Sequence, residues 1–270
     1  MATKIRDREH GKDLIYAISL TGIILIIIPI ILILYFGFFY FRDYGVINDT
    51  LMRSIELTLF SSGLSAVIIF FLFTPLAYEL ARKRHRVMDM ISDIPSSIPH
   101  PIVGIAILIL GSPLTPFGHL LNALGISFFN TVTGMTVALI FISAPIYIRA
   151  SQTLFRSLPT DPERYAEGLG LSRTATFYRI IIPQNIGGLI SGALTAMSRS
   201  LSEFGSIAIV SFYIVGGIFA GTSPASVLIW KLYGFSGPSA AITASAVMIV
   251  VSMIVLLLAK VVSQKGQQSI

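Results

Sequence analysis

Apolar residues in this chain gather in long uninterrupted blocks instead of recurring at helical spacing along otherwise polar segments. The first block, 14–41, runs 28 residues without a formal charge. A bilayer core about 30 Å thick is crossed by roughly 20 apolar helical residues, so this block spans with room for tilt. It exceeds the apolar centre of a secretory signal, about 7–15 residues, and no small-residue cleavage site follows. A retained first helix is expected. Further blocks predict spans at about 55–81, 98–110, 131–148, 186–210 and 240–262. The third is short. Its proline-containing start is expected partly in the interface or against protein, since polar backbone at membrane depth must be buried in protein or line a water-filled cavity. The pattern predicts an all-α, polytopic membrane protein with about six transmembrane helices.

Composition excludes the soluble alternative. Only 12% of the 270 residues are charged, 54% are apolar, and mean hydropathy is +0.82. An ordinary soluble domain carries about 25% charged residues. Cysteine is absent, which removes disulfides, thiolate metal sites and cysteine nucleophiles. The formal net charge of +6 raises a nucleic-acid partner, and the positions of the charges decide against it. With the N-terminus inside, fifteen of the nineteen Lys and Arg residues fall on the cytoplasmic side. Arg42, Arg53 and Lys231 fall outside, and Arg199 lies within a span. This positive-inside bias predicts a cell-membrane protein with both termini cytoplasmic. Residues 1–13 are then a cytoplasmic N-terminal segment, 14–262 the transmembrane domain and 263–270 a cytoplasmic tail. Interleaved basic and aromatic residues for base stacking are not seen.

The segment 149–184 is the most informative. Thr160 followed three residues later by Glu163 fits a capping box, and Pro162 suits a first helical turn. A short helix is expected to start there and stop at Gly168 and Gly170. Ser172 can cap a second stretch, 173–182, that Pro183 ends. Two short helices lying along the membrane follow, in place of the irregular solvated loop that is the alternative. Irregular loops beyond about 12–15 residues are usually functional.

Within this segment Glu163, Ala166, Gly170, Ile180 and Pro183 stand at the offsets of the EAA loop, which the chain resembles. That loop belongs to permease subunits of binding-protein-dependent ABC importers. Tyr165 stands where the family usually has its first Ala. The resemblance implies a type I ABC importer fold with a cytoplasmic coupling loop, here at about 157–183, whose coupling helix docks on an ATP-binding subunit. It implies Glu163, Arg164, Tyr165, Ala166, Gly170, Ile180 and Pro183 as coupling residues. Glu163, Arg164 and Arg173 would offer ion pairs to the partner, with Tyr165 and Leu169 as apolar anchors.

The stretch 88–104 is similar to the proline-rich entry to the third helix of sulfate and molybdate permeases, with His100 in place of a common proline. The stretch 198–205 is similar to a signature of that oxyanion branch, and Ser211-Phe212-Tyr213, residues 225–230 and Gly234 look most like archaeal-type molybdate/tungstate permeases. By this resemblance the chain forms the pathway for a tetrahedral oxyanion, molybdate or tungstate first and sulfate or thiosulfate as the alternative. The implied partners are two ATP-binding subunits, a second permease chain as a homodimer, an extracytoplasmic substrate-binding protein and the lipid bilayer. ATP and Mg would bind the partner subunit, with no cofactor and no metal on this chain.

Arg199 and Glu203, four residues apart in the predicted fifth span, would share a helix face. A charge at mid-membrane costs at least about 2.5–3.5 kcal/mol on insertion scales. Two readings stand: Arg199 lines the path and attracts a dianion, or the two form a structural ion pair near the cytoplasmic end. Ser198, Ser200 and Ser202 would either offer hydroxyls to the anion or pack and bond backbone. Pro75, Pro99, Pro101 and Pro145 mark hinges or plain kinks. Gly188 and Gly192 form a small-xxx-small pair suited to close helix contact.

An intramembrane enzyme finds no support. His10, His85, His100 and His119 are scattered, and neither HExxH nor a phosphate-binding G-x-x-x-x-G-K-[ST] is present. An ion-driven secondary transporter calls for membrane carboxylates or paired broken helices, whereas Glu203 stands alone with an Arg. A non-transporting scaffold is opposed only by the coupling-loop spacing.

Overall fold

In hydrocarbon every backbone N–H and C=O must be bonded internally, so each long apolar block closes into a helix. A computed structural model describes residues 2–83 and 85–267, and no strand occurs among them. Among these described residues five helices are long and apolar enough to cross a membrane, or six if one bent pair counts as a single span.

The chain divides into two units. One comprises Met1–Asn48 and Ile229–Val250. Its main element, α1 (Ala2–Tyr35), begins well before the predicted start at 14 and ends in a π turn, Phe36–Phe41. Residues 16–32 are all exposed, as suits a helix facing hydrocarbon. Most of α11 (Ala225–Phe235) and the first part of α12 (Pro238–Gln267) belong here as well. Thr243 donates to the Gly37 carbonyl at 3.3 Å, joining α12 to the π turn.

The other unit comprises Asp49–Leu228 and Val251–Ile270. Three long helices pack on one another at its centre: α2 (Asp49–Arg82), α6 (Val132–Ser157) and α9 (Ile182–Leu201). Their apolar core includes Ile69, Tyr78, Tyr147, Phe155, Leu189 and Ala196. Small residues let the backbones approach. A Cβ on Gly188 would lie 2.7 Å from Leu154 Cδ2, so the leucine of α6 packs onto the bare backbone of α9 there. Around these helices lie α3 (Arg86–Ser97), α4 (His100–Leu110), α5 (Pro116–Ala123), α7 (Asp161–Gly168), α8 (Arg173–Thr176) and α10 (Ile207–Val210).

Two expected spans are redrawn. The third is the bent pair α3 and α4, turned by 108° across Ile98 and Pro99. Ile98 is extended, as the residue before a proline prefers, and Pro99 caps α4 with its own fixed φ. Pro75 and Pro145, by contrast, lie inside continuous helices.

The fifth span runs Arg173–Leu201 and not 186–210. Pro183 therefore does not end a helix. It sits in the first turn of α9, directly after a π turn at Phe177–Ile181. The π turn resets the backbone ladder at the point where proline lacks an N–H, so helicity continues through it. The stretch from Arg173 is thus the opening of a long apolar helix, not a second helix lying apart from it.

Candidate functional site

The coupling segment starts where α6 ends. Thr160 adopts φ −88° and ψ −5°, already helical, and its side chain makes no cap. The expected capping box is not formed, because a capping hydroxyl requires extended backbone at that position. Glu163 turns the other way. Its Oε1 accepts from Arg82 Nε at 2.9 Å and from Nη2 at 2.5 Å. Arg82 Nη1 donates to the carbonyls of Phe155 at 2.7 Å and Leu158 at 3.4 Å. One guanidinium on α2 thereby ties the end of α6 to the start of α7. The two side chains are 11% and 13% exposed, so Glu163 braces the helix from inside and offers no ion pair outward.

Arg173 is likewise engaged, donating to Glu79 at 2.7 Å. Both Arg82 and Arg173 lie over the Tyr78 ring, at 5.7 and 5.8 Å from its centroid. Such cation–π contacts add to the ion pairs on the same side of α2.

The far end of α7 is closed by Gly170 at φ +87°. Leu171 N–H bonds the Ala166 carbonyl at 3.0 Å and Gly170 N–H bonds that of Glu167 at 2.9 Å. This is a Schellman closure, which needs the left-handed conformation glycine takes freely. Ser172 caps the next turn as expected, accepting from Ala175 N–H at 3.2 Å. Between the two braces Ala166 is buried, while Arg164 is exposed, Tyr165 is 73% exposed and Leu169 is 83% exposed. Ile180 is half-buried against the central core, and Pro183 is exposed.

The second group of predicted residues lies at the opposite end of α9. From Arg173 to Arg199 is 26 residues, roughly 39 Å at a helical rise of 1.5 Å. The pair is therefore remote from the coupling segment, against the expectation of a structural pair at that end. Glu203 is not on the helix: α9 ends at Leu201, and Glu203 follows its cap. Its carboxylate is nonetheless within 3.4 Å of Arg199 Nη1. It also lies 2.8 Å from His100 Nδ1 and accepts from Ser206 N–H at 2.9 Å and Ser206 Oγ at 3.1 Å.

Ser200 is fully buried, its hydroxyl 2.7 Å from that of Ser143 and 3.3 Å from that of Ser65. It joins α9 to α6 and α2 and presents nothing to a passing ion. Ser202 bonds the Arg199 carbonyl at 2.9 Å and accepts from Arg199 Nη1 at 3.1 Å. Ser198 bonds the Leu194 carbonyl.

Sequence reasoning missed Arg82 and His100 as site residues. Arg82 opens the basic run 82–86, where its charge reads only as a topology signal. His100 carried one clue, its place among the prolines of the 88–104 motif.

A bundle of apolar helices that holds one short helix rigid at both ends, with large apolar side chains bare between them, has the build of a membrane transport subunit worked by another chain. Residues 74–266 match the binding-protein-dependent transport system inner membrane component family, and the chain belongs to that family. It is 32% identical over 211 residues to the molybdate/tungstate transport system permease protein WtpB of Pyrococcus abyssi, covering 76% of this chain and 80% of the relative. It is 27% identical over 207 residues to the sulfate transport system permease protein CysT of Escherichia coli, covering 75% and 73%. The fold matches a chain of a bacterial alginate ABC transporter solved with its periplasmic protein, at a TM-score of 0.65 and 21% identity, over 93% of this chain and 94% of that one.

Proposed function

We propose that the chain is the permease subunit of an ATP-driven importer for a tetrahedral oxyanion, with molybdate or tungstate as the substrate. It works with a second copy of itself, two ATP-binding subunits and an extracytoplasmic binding protein that delivers the anion. ATP and Mg belong to the ATP-binding subunits, since this sequence has no phosphate-binding loop. The charge bias supports a cytoplasmic position for α7 and both termini in a cell-membrane protein.

One observation carries the mechanical part of this reading: Tyr165 and Leu169 are bare on a helix fixed at both ends. A large aromatic and a leucine left in water have the character of interface anchors awaiting a groove. Closure of the ATP-binding subunits would push on α7. The push passes through Arg82 into α2 and through the Phe155 and Leu158 carbonyls into α6, so two core helices move with the lever. Hydrolysis reverses the motion.

The substrate class is supported by the oxyanion motifs and by the molybdate/tungstate relative. A sulfate reading is favoured by the sulfate relative, whose ligand has the same shape and charge. Uptake of labelled molybdate, tungstate and sulfate into vesicles bearing this chain, its ATPase and its binding protein tests both. ATP-dependent uptake of molybdate and tungstate ahead of sulfate is expected. Sulfate first would favour the second reading, and uptake of none would sink the oxyanion assignment.

A further inference from the structure

The proline-rich segment 88–104 has no part in the coupling scheme above, yet it carries the bent pair. Its first arm, α3, is not held by packing. None of the twelve residues of α3 is buried, and Val87, Met90, Ile91 and Ile94 are exposed. Between the bent pair and the core lies an apolar cavity of about 410 Å³. Its walls include Ile91 and Pro95 of α3, Ile107 of α4, Phe73 of α2, and Phe141 and Ile148 of α6. Close packing transmits displacement between helices, and the cavity interrupts that packing here.

What holds α3 is polar. Arg149 of α6 turns its whole guanidinium onto it. Nε donates to Asp93 Oδ1 at 2.8 Å and Nη1 to Asp89 Oδ1 at 2.9 Å. Nη2 donates to the other Asp93 oxygen and to the Asp89 carbonyl at 3.2 Å. The two acids are four residues apart, so they share a helix face that one fork can span. Gln152, a turn further along α6, is 1% exposed. It accepts from Arg149 Nη1 at 2.6 Å and donates to Asp89 at 3.0 Å and to the Leu80 carbonyl of α2 at 3.3 Å. The grip is thus grounded in the same ends of α2 and α6 that Arg82 ties to α7.

We propose that Arg149, with Asp89 and Asp93, is the latch through which α6 carries the bent pair, and that these three are positioning residues for transport. The inference rests on the proposed function above. A helix gripped by its charged face and backed by free space follows the residue that grips it. Beyond Ile98 and Pro99 the chain turns by 108° into α4, whose first residue, His100, lies 2.8 Å from Glu203. A push on α7 therefore reaches the Arg199 cluster by way of α6 and the bent pair, and not along α9 alone. The latch is half-exposed, so it adds little to stability and acts on where α3 sits.

The test reconstitutes the chain with its ATPase and binding protein in vesicles and measures molybdate uptake and ATP hydrolysis together. In Arg149→Gln, and separately in Asp93→Asn, hydrolysis stimulated by loaded binding protein is expected to persist, because the Arg82 brace and the face of α7 are untouched. Uptake per ATP hydrolysed is expected to fall at least about fivefold. A variant that is merely less stable loses both in proportion and leaves their ratio alone. The double variant should be no worse than Arg149→Gln, since both changes remove one contact. An unchanged ratio in Arg149→Gln, or losses that multiply in the double variant, overturns the proposal.

If the wild-type complex takes up no oxyanion, it is the proposed function that fails, and a distance measurement still decides the latch. The chain has no cysteine, so Ile94→Cys on α3 and Ser157→Cys on α6 carry the only two spin labels. In full-length chain in lipid nanodiscs the label-to-label distance should be single and narrow with Arg149 and broadly distributed with Arg149→Gln. Equal distributions overturn the latch. Should Arg149→Gln fail to assemble, Arg149→Lys keeps the charge without the fork and takes its place in both measurements, with the same expected direction and the same overturning result.

Discussion

The two charged clusters of this chain use the same residue types to opposite ends. At the coupling segment Arg82 meets one acid, Glu163, and its Nη1 donates to two backbone carbonyls. Both partners are nearly buried and their charges cancel. At the far end of α9 a fully buried acid faces two half-exposed basic groups. The first arrangement is closed: its charges cancel, and four of the five guanidinium N–H groups are taken up within the protein. The second is open on its cationic side. A buried pair that loses one partner strands the other, whereas an open cluster retains a substitute. The first fixes two helix ends to each other, and the second leaves part of its arginine and histidine uncovered.

Substitutions can break that contrast. The largest effect is expected from Arg82→Ala, which strands Glu163 and releases two carbonyls. It should lower unfolding stability by about 3 kcal/mol, read from chemical or thermal melts, and abolish stimulation of the ATPase by loaded binding protein. A variant with normal coupling would show that force reaches the core by another route.

Next is Tyr165→Ala with Leu169→Ala. These side chains touch water, so stability should stay within about 0.5 kcal/mol. Affinity for the ATP-binding subunit should fall by about 2 kcal/mol, or roughly thirtyfold, in a titration of purified subunits. Unchanged affinity would remove α7 as the docking element. Combining Glu163→Ala with Tyr165→Ala would blur the result, since Glu163 is part of the brace and Tyr165 part of the display.

Gly170→Ala forces a Cβ into the left-handed region at φ +87° and should cost about 1–2 kcal/mol, with α7 frayed in hydrogen exchange. The smallest effect is expected from Arg199→Ala, about 1 kcal/mol in the same melts, because Ser206 still donates twice to Glu203. A loss matching that of Arg82→Ala would erase the distinction between closed and open clusters.

Much of the fold was legible in advance for local reasons. Block length fixed which segments are long helices, since about 20 apolar residues suffice to cross a bilayer. The Ser172 cap and the stop at Gly170 were equally readable, because each depends on one residue's own side chain or its lack of one. The Thr160–Glu163 capping box obeyed the same local rules and still failed. A guanidinium 81 residues away offers the carboxylate a charge-assisted pair that a backbone N–H does not match. Likewise Glu203 was expected one turn beyond Arg199 on a helix, and it reaches the arginine from the loop after the helix ends.

What the sequence determined by itself was therefore the all-helical class, most of the apolar spans, the Ser172 cap and the glycine stop of α7. Hydropathy, capping and backbone freedom act over a few residues, and neighbours in the chain carry them. Only the tertiary structure decided that Arg82 holds Glu163, that helicity runs on through Pro183, and that His100 joins Arg199 and Glu203. Those outcomes depend on which side chains the packing of α2, α4, α6 and α9 brings within about 3 Å, a distance at which charge and hydrogen bonding outweigh local preference.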